Sequence, residues 1–288
     1  MRKVKQMTSE IQALVKEQVF DAVCQYMFDY LFYSPKFPLR SSQQELLARS
    51  RQIEFSVFDS YFDHQELLVN AFAWGNGDQL VLLTHGWASK AADFYYLIER
   101  LLSSSRFTVI AFDAPGNGSS QGRLTNLLLY VESIRKITRH FGIPSVLIGH
   151  SLGAMANIIA YKDFVVKPTL LVSLAPLIDL ESYFITQMTT ANVPIDVQRQ
   201  FFRDFKKSFD IEVSYFNLNN LYNYACENHL LFYDRLDEIS PFSFMQGFLQ
   251  KHGDIKHKAY DGTGHHHMVK SEALINELLE QMNRLLLS

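Results

Sequence analysis

From residue 79 onward, the chain alternates short, continuous apolar runs with longer stretches whose apolar positions recur every three or four residues. The runs lie at 80–84, 108–112, 146–148 and 170–174, and the periodic stretches near 91–102, 127–140 and 152–162. A run that is apolar on both faces has to be covered on both sides, so this rhythm predicts a parallel sheet between layers of helices. Two earlier strands, 53–58 and 67–74, flank the polar Asp63-His64-Gln65 and predict an antiparallel hairpin. Two later strands are expected at 230–233 and 256–260. They precede a closing helix with an apolar stripe at Leu274, Ile275, Leu278, Leu279, Met282 and Leu285. Near the start, 9–33 has helical spacing and stops at the breakers Pro35 and Pro38, which predicts one long helix, then a short one near 43–51.

Residues 177–228 break the rhythm. They are helical in character and rich in aromatics, among them Tyr183, Phe184, Phe201, Phe202 and Phe205, with the basic residues Arg203, Lys206 and Lys207. An insertion between two strands at the carboxyl edge of a sheet sits where ligands bind in open α/β folds, so this segment is expected to form a cap. The chain then divides into an N-terminal helical segment (1–52), a first part of the α/β core (53–176), the cap (177–228) and a second part of the core (229–288).

The chemistry concentrates at strand ends. Gly149-His150-Ser151-Leu152-Gly153 follows a buried run and opens a helix, the pattern of a nucleophile elbow with Ser151 at its apex. Thr84-His85-Gly86-Trp87 follows another strand. The backbone N–H of Trp87 is expected to join that of Leu152 as an oxyanion hole, each donor worth about 3–4 kcal/mol in the transition state. His85 reads as a tie for its loop rather than a catalytic group. Asp113, in Phe112-Asp-Ala-Pro-Gly-Asn-Gly118, reads as structural because it precedes the serine. A later loop holds two candidate acids, Asp234 and Asp237, and Tyr260-Asp-Gly-Thr-Gly-His-His-His267 places His265 where a general base would leave the last strand. Consecutive histidines point in different directions and have no carboxylate or cysteine at ligand spacing, so no metal site is expected. The positions expected to face a substrate are His85, Gly86, His150, Phe184 and Met188.

Composition narrows the partners. With 48% hydrophobic residues, 20% charged and a formal charge of -3, the chain reads as an ordinary globular protein with no electrostatic cause to bind nucleic acid or an anionic membrane. The basic start, Met1-Arg-Lys-Val-Lys5, is followed by Glu10, Lys16, Glu17 and Asp21 rather than an apolar stretch, and no run is long enough to span a bilayer. Cys24 and Cys226 sit in no metal or redox spacing, and the location expected is the cytoplasm. The apolar stripe of 9–33 is expected to pack within the chain or to form a homodimer.

Together, these motifs make residues 53–288 resemble an α/β-hydrolase, of an esterase-like bacterial branch that is largely uncharacterised. The resemblance rests on His85-Gly-Trp87, the Phe112–Gly118 loop, Tyr233-Asp-Arg-Leu-Asp237 and Gly262-Thr-Gly-His265. It implies an eight-stranded, mostly parallel sheet with helices on both faces and a helical cap. Many relatives read H-D-R-x-D in the acid loop with the second aspartate in the triad, which implies Asp237. Here Tyr233 replaces the common histidine and Ser240 the usual valine. The expected function is cofactor-free hydrolysis of a small ester or thioester with an apolar group. Acyl transfer, amide or C–C bond hydrolysis, or ligand binding without turnover on the same fold are the alternatives.

Overall fold

A computed structural model describes residues 2–224 and 226–286 of the chain; Met1 of the basic start and the last two residues of the closing segment lie outside it. Eight strands form one sheet: β1 (Arg51–Phe58), β2 (Glu66–Trp74), β3 (Gln79–Thr84), β4 (Phe107–Phe112), β5 (Val146–His150), β6 (Leu170–Leu174), β7 (His229–Asp234) and β8 (Lys256–Tyr260). Their order is β1-β2-β4-β3-β5-β6-β7-β8. β1 and β2 pair antiparallel, β2 pairs antiparallel with β4, and every later pairing is parallel. At the β1–β2 turn, the Asp59 carboxylate accepts the backbone N–H groups of Tyr61, Phe62 and Asp63, which closes the expected hairpin.

The central strands are buried on both faces because each face has its own apolar layer. On one side lie α5 (Leu127–Phe141) and α6 (Leu152–Tyr161), with Leu147 and Leu171 pointing toward them. On the other lie α4 (Tyr95–Leu102) and α11 (Glu272–Leu286), against Val81, Ile148 and Val172. Alternate residues of one strand thus serve opposite layers, as period-two geometry requires.

The N-terminal reading needs correction. Residues 9–33 do not form one helix: α1 (Arg2–Lys16) and α2 (Phe20–Phe32) are separated at Gln18, whose φ is +59°. Folding back at this point lets α1 bury Met7 and Ile11 while α2 buries Val23, Met27 and Leu31. The short helix α3 spans Ser41–Ala48 and ends before β1 begins.

Between β6 and β7 come the helices α7 (Leu180–Thr190), α8 (Ile195–Phe209) and the single turn α9 (Leu218–Leu221). Their aromatics are closed off by α2: Phe28 meets Phe201 at 4.9 Å between ring centroids, and Phe32 meets Phe184 edge-on at 5.7 Å. Most of the stripe of the N-terminal segment is therefore covered within the chain, with Val19 left exposed. One further helix, α10 (Phe242–Lys251), was not expected from the sequence. Its inward residues Met245 and Phe248 are too few to make a clear stripe, although Pro241 marks its start.

Candidate active site

Ser151 stands between β5 and α6 with φ +53° and ψ −120°, a strained backbone for a residue bearing a side chain. Such a conformation costs about 1–3 kcal/mol and persists only where its surroundings impose it. Here they do. The Ser151 N–H donates to the Leu174 carbonyl at 3.0 Å, and its own carbonyl accepts from Ala154 and Leu177. The flanking glycines are required by space: a Cβ on Gly149 would lie 2.5 Å from the Ala154 Cα, and one on Gly153 2.3 Å from the carbonyl oxygens of Thr84 and His85.

The histidine arrives from β8. Gly262 and Gly264, with φ of +78° and +77°, turn the chain into a 3₁₀ turn that begins at His265. His265 Nδ1 donates to Asp237 Oδ2 at 2.6 Å, which leaves Nε2 as the basic nitrogen. The other Asp237 oxygen accepts the N–H groups of Ile239 and Ser240 at 2.8 and 2.9 Å. Asp234 is occupied elsewhere: it accepts from the backbone of Leu236, Gly262 and Gly264 and so ties the acid loop to the histidine loop. Burial pushes the Asp234 carboxyl up, but those backbone N–H groups outweigh it and hold the group below the usual carboxylate range.

Ser151 and His265 line one cavity of about 210 Å³, together with Trp87 and Leu152. The backbone N–H groups of Trp87 and Leu152 donate to no acceptor among the described residues. The remaining wall is largely apolar, formed by Leu177, Leu180, Tyr183 and Ile239. The Ser151 hydroxyl and the His265 ring share this space without a hydrogen bond between them.

Of the residues expected to face a substrate, His150 is on the cavity wall, whereas His85, Gly86, Phe184 and Met188 are not. His85 is a buried tie. Its Nε2 accepts the Ala114 N–H at 3.0 Å and its Nδ1 donates to the Gly86 carbonyl at 2.7 Å; burial holds its pKa below the ordinary value. Gly86 lies under the elbow, where an added Cβ would come within 3.0 Å of the Ser151 Cβ. Phe184 and Met188 continue the stripe from Leu180 along α7 and fill the core of the cap, while the neighbouring Tyr183 takes the place at the cavity. The helical phase set by the N-cap at Asp179 would have separated these two faces. His150 Nε2 donates to the His265 carbonyl at 3.0 Å, and burial followed by the nearby His265 ring keeps it neutral. Asp113 accepts from the Ala91 and Ser119 N–H groups, which ties its loop to the segment after β3 and keeps it off the cavity wall. No cluster of metal-ligating side chains exists among the described residues, and none of their helices is long and apolar enough to cross a membrane.

The sequence model of one family, described as the alpha/beta hydrolase fold, matches residues 79–238. No curated protein sequence matches the chain. Among solved structures, the esterase Pf2001 of Pyrococcus furiosus superposes with a TM-score of 0.62 at 19% identity, covering 88% of this chain and 96% of its own. A structure from a study of carboxylesterases of Nitrososphaera gargenis gives 0.58 at 15% identity, with 81% and 98% covered. A thermophilic esterase of Thermogutta terrifontis gives 0.57 at 16%, with 81% and 99% covered. At these identities the likeness is one of fold.

Proposed function

The chain belongs to the α/β-hydrolase fold family, and from that premise we propose that it is a serine hydrolase of carboxylic esters or thioesters. The observation that carries this reading is the pairing of His265 Nδ1 with Asp237 at 2.6 Å on a cavity shared with the strained Ser151. In the proposed cycle, His265 Nε2 takes the proton from Ser151 as the hydroxyl oxygen attacks the substrate carbonyl. The resulting oxyanion accepts hydrogen bonds from the N–H groups of Trp87 and Leu152. His265 then protonates the departing alcohol, and water repeats the sequence to release the acid and restore Ser151. The Ser151–His265 hydrogen bond is the contact that bound substrate would close, since such contacts tighten on forming the complex.

The apolar walls at Leu177 and Leu180 favour a short to medium acyl group. Hydrolysis of p-nitrophenyl acetate, butyrate and octanoate by the wild type and by Ser151→Ala tests the assignment. The wild type is expected to favour the shorter esters, with kcat/KM falling about 10⁴-fold or more in the Ser151→Ala and His265→Ala variants. Equal turnover by wild type and Ser151→Ala would end the reading.

A further inference from the structure

Beside the catalytic cavity lies a second hollow of about 50 Å³, and Leu177, Tyr183 and Ile239 form a wall common to both. Its chemistry differs from its neighbour's. α7 contributes Ser182 and, one helical turn on, Thr186 with its neighbour Gln187, and the segment after the acid contributes Glu238, which is exposed, and Phe244. The Asp179 carboxylate also borders it but is already engaged, accepting from the Ser182 N–H and the Asn217 amide. The Glu238 carboxylate and the Gln187 amide have no partner among the described residues.

No lysine or arginine lines either hollow. Arg235, four residues before Ile239, is turned to the surface in an ion pair with Asp261. Two histidines on the catalytic wall, His150 and His266, are held below the ordinary histidine value by burial. A ligand group in the second hollow therefore meets carboxylates without a compensating cation, which favours a positive charge and penalises a negative one.

The position of the hollow indicates which arm of an ester it would receive. Glu238, Ile239 and Ser240 directly follow Asp237, and the last two donate their N–H groups to it. The hollow thus adjoins the loop that holds His265 through Asp237, and the proton that His265 delivers goes to the departing alcohol. We propose that this hollow is a subsite for a small cationic group on the alcohol arm, so that the preferred substrate joins an apolar acyl group to an amino alcohol. The proposal rests on the reading of Ser151 as the nucleophile. Tyr183 and Phe244 supply ring surface against which alkyl groups on the nitrogen can lie.

Three butyrate esters of nearly equal shape test it: 2-(dimethylamino)ethyl butyrate, protonated at neutral pH; 3-methylbutyl butyrate, neutral; and 3-butyryloxypropanoate, anionic. The full chain is expected to hydrolyse the cationic ester with kcat/KM about tenfold above the neutral one, and the anionic ester about tenfold below it, the scale of one partly solvated charge pair. In Glu238→Gln the cationic-to-neutral ratio should fall toward one, and the anionic ester should gain on the neutral one. A cationic-to-neutral ratio unchanged by Glu238→Gln, or an anionic ester equal to the neutral one in the wild type, would overturn the subsite while leaving the hydrolase reading intact. Absence of Ser151-dependent turnover of p-nitrophenyl butyrate would remove both.

Discussion

Asp234 ends β7 and Asp237 follows three residues later, and their hydrogen bonds divide the work between them. Asp237 holds the His265 ring, while Asp234 gathers backbone N–H groups from two loops. Replacing a carboxylate by an amide should therefore act on different observables. Asp237→Asn is expected to lower kcat about 10⁴-fold, through loss of the correct tautomer, with little change in melting temperature. Asp234→Asn presents an NH₂ group to N–H donors and is expected to cost about 1–3 kcal/mol of folding stability, with a smaller loss of kcat. Denaturant titration beside steady-state kinetics separates the two, and the reverse ranking would move the acid to Asp234. The sequence left this choice to a family resemblance, because spacing alone does not reveal which oxygen faces which loop. The elbow was legible for the opposite reason: steric need writes glycine into positions 149 and 153. Gly153→Ala, with its Cβ 2.3 Å from two backbone oxygens, should destabilise the fold by about 1–3 kcal/mol or more, measured by the same titration.

At the level of elements, the central strands β3, β4, β5 and β6 were readable because a doubly covered sheet makes its strands continuously apolar, and continuity survives without knowledge of neighbours. The N-terminal segment was harder to read. Its apolar positions fit one helix as well as two, and only packing against the cap decides for α1 and α2. Phe32 shows what that packing achieves: its fully buried ring touches Phe62, Phe184 and Phe205, and the adjacent Tyr33 carbonyl accepts the Trp87 indole N–H at 3.3 Å. The end of α2 thus joins the core, the cap and the loop carrying a candidate oxyanion donor. Phe32→Ala should cost about 3–5 kcal/mol if the site cannot collapse. The loss is expected first in the cap, as faster proteolytic cleavage within 180–221 than within the central strands. Uniform loss of protection along the chain would mean that the cap has no separate dependence on α2.

Over the whole molecule, three histidines are buried in neutral form on different elements, and together they set how the fold answers acid. His229 lies between the Ser173 hydroxyl at 2.9 Å and the Tyr222 hydroxyl at 3.1 Å, and burial, with a smaller push from His252, lowers its pKa from 6.5 to about 3. His85 and His150 are shifted in the same direction, also chiefly by burial. A depressed folded-state pKa means that, below the ordinary value of 6.5, the unfolded chain takes up protons that the native state refuses. Stability is therefore complete above about pH 7 and is lost as pH falls from 6.5 toward 3. For His229 the slope approaches about 1.4 kcal/mol per pH unit, and His85 and His150 add to it in the same direction. Asp93 and Asp234, whose pKa values are also lowered, act in the same sense, but only below their ordinary value of 3.8. The interval from pH 6.5 to 5 thus belongs to the histidines. Urea midpoints measured across that interval should fall steadily with acid at constant m-value. His229→Asn, which keeps a polar side chain without a titrating one, should flatten the dependence by one histidine's share. A midpoint that is level or rises from pH 7 to pH 5 would mean that these rings take up protons within the fold.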